Sequence, residues 1–210
     1  MEASKPTFTI FAGINGSGKT TLYRFYNNLA VEQLGTRVCA DEILESFNGD
    51  WRSSRDKVLS GRITIDQLDS CLENGETFNW ETTVIGTHAI NLVEKAKSYG
   101  YKVNIYFIGV EDPELSIKRI AHRVEKGGHD IKNEVVIARH KHQCRFMNQM
   151  FPIVDNILFF DNEDAVRIVG TYVDKKLNFY CKDKQWINNM IDQYNKSLQQ
   201  DKPAEPGEKE

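Results

Sequence analysis

The chain has only four cysteines, Cys39, Cys71, Cys144 and Cys181, and they are far apart with no C-x-x-C pair. That spacing argues against a zinc site or a disulfide framework and fits buried free thiols in a reducing cytoplasm. No apolar run approaches the ~20 residues of a membrane span, and Met1 to Pro6 lack the apolar centre of a signal peptide. There is no long Lys/Arg run. With 27 basic against 30 acidic residues the net charge is −3, so nucleic acid is not the expected partner. No internal repeat is visible, and the D-x-x-G and N-K-x-D motifs of GTPases are missing. Leu59-Ser60-Gly61 runs into Arg62-Ile63 instead of completing an ABC-type ATPase signature. What remains is an ordinary globular composition, 40% hydrophobic and 27% charged over 210 residues. That is enough chain to bury roughly 70% of its unfolded surface in one domain.

The informative text is near the start. Thr7 to Ala12 is a β-branched and aromatic run suited to a buried strand. Gly13-Ile14-Asn15-Gly16-Ser17-Gly18-Lys19-Thr20 then fits the phosphate-binding loop G-x-x-x-x-G-K-[ST] at every fixed position, and Thr21 follows it. Glycines free the backbone so that consecutive N–H groups converge on phosphate, and the helix starting at Lys19 adds its positive end. Lys19 supplies a point charge for the β- and γ-phosphates, and the Thr20 hydroxyl is placed to ligate Mg²⁺. Residues 13–21 therefore predict a site for a nucleoside triphosphate, with ATP and Mg²⁺ as the expected ligands.

The rest of the chain alternates strand and helix. A helix is expected from Lys19 to about Leu34, with Leu22, Tyr23, Tyr26, Leu29 and Ala30 inward and Gly35 closing it. Arg37 to Ala40 reads as a short strand ending at Asp41. Glu42 to Leu72 reads as helical, with breaks at Asn48-Gly49 and Ser60-Gly61. Thr77 to Thr82 reads as a strand bearing Glu81, Ala89 to Ser98 as a helix, and Tyr101 to Val110 as the strongest strand. Asp112 and Pro113 open a helix that Gly127-Gly128 ends, and another is expected from Lys132 to Met150. Asn156 to Phe160 is a core strand ending at Asp161. Ala165 to Val173 with Leu177 to Cys181 suggests a marginal hairpin, and Asp183 to Leu198 an amphipathic helix. One domain is expected over 1–199, with its core over 7–162. The charged tail 200–210 is expected to be disordered. The pattern predicts the α/β class: a three-layer P-loop NTPase of the nucleotide-kinase type, with a parallel sheet, helices on both faces and a helical lid.

In such a sheet, ligands sit beyond the carboxyl ends of the strands. Asp41 and Glu81 stand there, where phosphoryl transfer needs carboxylates near its metal and its acceptor. Asp161, beside Asn162 in a turn-like setting, reads instead as a cap or surface acid. Arg119, Arg123, His129 and Arg139 group around the glycine pair. Either they are a mobile basic lid over the transferring phosphoryl group or the solvated faces of ordinary helices. His140 and His142 diverge by about 200° on a helix, which speaks against a shared metal.

Together these segments resemble the zeta-toxin family, in particular a compact bacterial branch of predicted P-loop ATPases. The match runs through the phosphate loop, Cys39-Ala40-Asp41-Glu42, Phe78-Asn79-Trp80-Glu81-Thr82-Thr83, Gly100-Tyr101-Lys102-Val103 and Pro113-Glu114-Leu115-Ser116. It continues through Arg119 to Ile131 and closes on Asp161-Asn162, so it covers about Phe8 to Asn162. The resemblance implies a kinase with Asp41 as catalytic base and Lys19, Arg123 and Arg139 as phosphate and transition-state contacts. Glu81, Thr82, Arg119 and His129 are then the expected substrate contacts, with Thr20 on the metal. It further implies UDP-N-acetylglucosamine as a phosphoryl acceptor and an antitoxin protein that covers the nucleotide site. The chain departs from the family pattern at Ala138-Arg139, where paired arginines are usual, around Phe146, and at Glu163, where Ser is common. A kinase of another hydroxyl compound and a nucleotide-dependent switch are the competing readings.

Overall fold

The computed structural model describes residues 5–29, 34–83 and 86–200. β1 (Thr7–Gly13) is buried from Phe8 onward. Its side chains divide between two faces, as strand geometry requires. Phe8, Ile10 and Ala12 enter the larger core, whereas Phe11 joins Leu22, Tyr106 and Phe160 in a second cluster. A strand buried on both faces belongs inside a sheet.

The chain continues through α1 (Lys19–Leu29), β2 (Thr36–Cys39), α2 (Ala40–Ser46), α3 (Ser54–Glu73), β3 (Phe78–Thr82), α4 (Thr87–Ser98) and β4 (Lys102–Gly109). It then forms α5 (Pro113–Glu125), α6 (Asn133–His142), α7 (Met147–Met150), β5 (Asn156–Asp161), β6 (Arg167–Val173), β7 (Lys176–Phe179) and α8 (Gln185–Gln200). Seven strands make one sheet in the order β2-β3-β1-β4-β5-β6-β7. β1 to β5 pair in parallel, and β6 and β7 extend the edge antiparallel. The predicted hairpin is thus part of the main sheet, which makes that sheet mixed at one edge. Because β3 and β4 flank β1, the ends of β2 and β3 lie beside the loop that follows β1.

Other expectations need adjusting. Gly61 does not break the helix around it. α3 runs unbroken for 20 residues, since one interior glycine costs only ~1 kcal/mol and the helix is held by burial of Leu68, Cys71 and Leu72. The single helix expected over Lys132 to Met150 is two. The path turns at Gln143, where His140 Nε2 lies 2.9 Å from the Val110 carbonyl at the end of β4. Within α1, Leu29 is half exposed and not inward; residues 30–33, with the rest of the helix expected there, and the tail 201–210 lie outside the described residues. No described helix is long and apolar enough to cross a membrane.

The C-terminal helix is fastened to the sheet near the site. The Gln185 and Trp186 amides donate to the Glu111 carboxylate at 3.0 and 3.3 Å, satisfying donors that a helix start leaves open. Trp186, 2% exposed, packs so closely on Gly109 that a Cβ there would lie 2.4 Å from the indole. Trp186→Ala should therefore destabilise the protein by about 3–5 kcal/mol. Urea denaturation checks this; a loss below 1 kcal/mol would mean that α8 contributes little to the core.

Candidate active site

The phosphate loop has the conformation its glycines require. Gly13, Gly16 and Gly18 all take positive φ. At Gly16 a Cβ would stand 2.6 Å from the Ser116 carbonyl, and at Gly18 it would stand 2.2 Å from Asn162 Nδ2. The loop is clasped from both sides, by the first turns of α5 and by the end of β5, where Asn162 Nδ2 donates to the Ser17 carbonyl at 2.6 Å. Ile14, fully buried, is a third anchor, packed with Ile120 of α5 and Val136 of α6.

Four cations converge on the loop. The Lys19 ammonium donates to the Ile14 carbonyl at 3.0 Å. Arg119 reaches the carbonyls of Gly16 and Glu163, at 3.4 and 3.0 Å. Arg123 Nη2 donates to the His129 carbonyl at 2.6 Å, while its buried Nε has no partner. Arg139 Nη1 donates to Asn15 Oδ1. Each of these oxygens is neutral, and none of the four cations is hydrogen-bonded to a carboxylate. Burial holds the Lys19 ammonium below its usual pKa, against the opposing pull of Glu81 and Asp41. Burial likewise lowers Arg139. Sites that keep cations desolvated and unpaired are built for anions.

The carboxylates lie across the cleft. The Thr20 hydroxyl donates to Glu81 at 3.0 and 3.1 Å to the two oxygens. A hydroxyl and a carboxylate so placed, next to the loop, suit the hard oxygen coordination of Mg²⁺. Glu81 is held in turn by Arg37 Nη2 at 2.6 Å, and the Arg37 guanidinium lies 3.7 Å from the Tyr23 ring centre. Asp41 sits on the first turn of α2, more than half exposed toward the cleft, with Oδ1 3.4 Å from His129 Nδ1. That contact, reinforced by Arg123 and Lys19, holds its carboxyl below the usual range despite the opposing effect of partial burial. A cleft of about 760 Å³ joins these groups, and Thr82, Arg119, Arg123, His129 and Arg139 all line it. The basic cluster therefore faces the loop; it is not a set of solvated helix faces.

Three features were not anticipated. Arg37 orients Glu81; the available signal was a charged residue in a short core strand. Trp51 packs on His129, ring centres 5.3 Å apart, joining the α2–α3 connection to the segment between α5 and α6. Asp161 is neither cap nor surface acid. It is 1% exposed and pairs with Lys184 at 3.2 Å, which leaves the neighbouring Asn162 to hold the loop. Among the described residues no group of three or more His, Cys, Asp or Glu is arranged to hold a metal.

A zeta-toxin family model matches residues 1–185. The chain belongs to the zeta-toxin family. An uncharacterized protein of Haemophilus influenzae is 32% identical over 130 residues, which is 62% of this chain and 89% of that one. In the PezAT chromosomal toxin–antitoxin system of Streptococcus pneumoniae, a structure with 16% identity superposes with a TM-score of 0.58, covering 95% of this chain and 88% of that one. A chain of the AvrRxo1-ORF1:AvrRxo1-ORF2 complex with sulphate ions superposes at 0.63, with 16% identity and 89% of this chain covered. This chain spans 63% of that protein's length. At such identities the likeness is one of fold: a P-loop sheet with a helical lid.

Cys39 also lines the cleft, and burial beside Glu81 pushes its thiol up to about 11. At pH 8 only on the order of one molecule in a thousand carries the reactive thiolate. Alkylation followed by peptide mass spectrometry should find Cys181 modified first and Cys39 protected until the pH approaches 11. Labelling of Cys39 at pH 8 would contradict this burial.

Proposed function

We propose that this chain is an ATP-dependent kinase of the zeta-toxin type, transferring the γ-phosphoryl group of ATP to a hydroxyl of a small acceptor in the cytoplasm. The observation that carries the reading is the set of four cations held only by neutral oxygens around the phosphate loop. Such a set favours a triphosphate in the ground state and the charge that spreads over the equatorial oxygens during transfer. Residues 13–21 hold the phosphates; Thr20 and Glu81 would hold Mg²⁺, which would supply positive charge to the transferring phosphoryl group. Arg119 and His129 fix the lid side, and Thr82 lines the floor.

In this reading Asp41 accepts the proton of the acceptor hydroxyl as its oxygen bonds to the γ-phosphorus and the bridging β–γ oxygen leaves with ADP. A base needs to be ionised, and the lowered pKa keeps Asp41 ionised across the physiological range. A UDP-activated amino sugar is the acceptor that the family resemblance brings. An antitoxin partner is supported by the PezAT system, whose name records a toxin–antitoxin pair.

Asp41→Asn keeps the shape of the side chain and removes its basicity. The variant should bind ATP normally and transfer phosphoryl groups at least a hundredfold more slowly, as general-base contributions run to 10²–10⁴. Undiminished transfer would move the base role to Glu81. Arg123→Ala and Arg139→Ala should each lower kcat by about 10³ with a much smaller change in ATP affinity. Normal turnover in both would remove them from the transition state. In the wild-type pH–rate profile, the acid limb assigned to Asp41 should lie below the ordinary carboxylate value of ~3.9. Its carboxylate form persists as pH falls until the lowered folded pKa is reached. A limb near pH 6 would contradict the assignment.

A further inference from the structure

Trp51 stands on the connection between α2 and α3 and belongs to none of the apolar clusters among the described residues. Core packing therefore does not account for its position. Contact with His129 does: the two ring centres are 5.3 Å apart and the planes 31° from parallel. The Arg52 guanidinium lies over the same indole, 3.9 Å from its ring centre. The connection that carries Trp51 is well fastened. Asn48 turns the chain with a φ of 53°, and the Gly49 amide donates back to the Leu44 carbonyl at 2.9 Å. The Asp50 amide donates to the Asp56 carboxylate and the Arg52 amide to the Asp50 carboxylate, both at 2.9 Å. Such side-chain acceptors fix a turn between two helices.

His129 follows Gly127 on the segment between α5 and α6. Gly127 takes a positive φ with open space around it, and glycine has the greatest backbone freedom of any residue. On this segment His129 meets two groups that the proposed transfer uses. Its Nδ1 lies 3.4 Å from Asp41 Oδ1, and its carbonyl accepts from Arg123 Nη2 at 2.6 Å. The base and a lid arginine are thus joined through one residue, and the indole of Trp51 rests against that residue's ring.

We infer that Trp51 is a positioning residue for phosphoryl transfer: by stacking on His129 it sets Asp41 and Arg123 in one geometry. The inference rests on the kinase reading, in which Asp41 takes the acceptor's proton and Arg123 meets the transferring phosphoryl group. An imidazole held against a fixed indole loses its rotational freedom before the acceptor arrives, which is preorganisation of the base. Asp41 is faced by His129 of the lid segment, Arg123 of α5, Lys19 of α1 and Arg139 of α6. The His129 contact is the largest of the interactions that hold its carboxyl low. Loosening His129 therefore moves the Asp41 titration upward, toward the ordinary carboxylate range, while the three cations remain.

The test compares two substitutions in the full-length protein. Trp51→Leu keeps apolar bulk without a ring, and Trp51→Phe keeps a ring that can stack. Each is incubated with ATP labelled in its γ-phosphoryl group, Mg²⁺ and a bacterial metabolite extract, and transfer of label is followed at saturating ATP. In parallel the Asp41 carboxyl is titrated by carbon NMR, its signal identified by its loss in Asp41→Asn. Trp51→Leu should transfer label about tenfold more slowly, the scale of one lost aromatic contact, with the KM for ATP unchanged. Its Asp41 titration should move upward, and Trp51→Phe should restore both properties. Wild-type transfer and titration in Trp51→Leu, or equal losses in the Leu and Phe variants, overturn the inference and leave the kinase intact. Wild-type protein that labels nothing but inorganic phosphate overturns the kinase reading, and with it this one.

Discussion

Ile14 is the one side chain of the phosphate loop that must be apolar, and the geometry of the site depends on it. Packed under Ile120 and Val136, it ties the loop to both helices that carry the cleft's arginines. Lys19 then donates to the carbonyl of that same residue. The position of the loop, the span of the lid helices and the aim of the lysine are thus set by one buried contact. The small apolar cluster is separate from the larger cores on the two sheet faces. A lid seated on its own small cluster is held less firmly than the sheet beneath it, the usual situation of elements that close over a substrate.

Electrostatics divides the work. On the lid side, cations are held by carbonyls and an amide, so their charge remains available. On the β2–β3 side, Arg37, Glu42, Glu81 and Thr20 form a connected network in which one guanidinium pairs with two carboxylates and geometry is fixed. Burial raises the electrostatic stakes in both places, because the same low dielectric that strengthens a pair penalises an unpaired charge. Asp41 lies between the two, exposed to the cleft and steadied by His129. A carboxylate in that position can remain ionised and still meet an acceptor.

The C-terminal part completes the site indirectly. Glu111 caps α8, Glu163 accepts from the Glu111 amide at 3.2 Å, and Lys184 pairs with both Asp161 and Glu163. Asn162 and the Glu163 carbonyl, which contact Ser17 and Arg119, lie inside this network. A hairpin and helix with no motif of their own thereby steady one wall of the phosphate loop.

The sequence by itself determined the phosphate loop, the α/β class and the placement of Asp41 and Glu81 at strand ends. These follow from local rules: glycines for positive φ, alternation in strands, carboxylates where parallel strands stop. Periodicity misjudged Gly61 and the turn at Gln143, because packing overrides weak local preferences there. Only the tertiary structure decided whether Arg119, Arg123 and Arg139 face the loop or the solvent, since helical spacing fixes a shared face and not its direction. It alone paired Arg37 with Glu81, buried Asp161 against Lys184 and brought His129 across to Asp41, 88 positions away. Those contacts depend on strand order and helix docking, and nothing within a window of neighbouring residues encodes them.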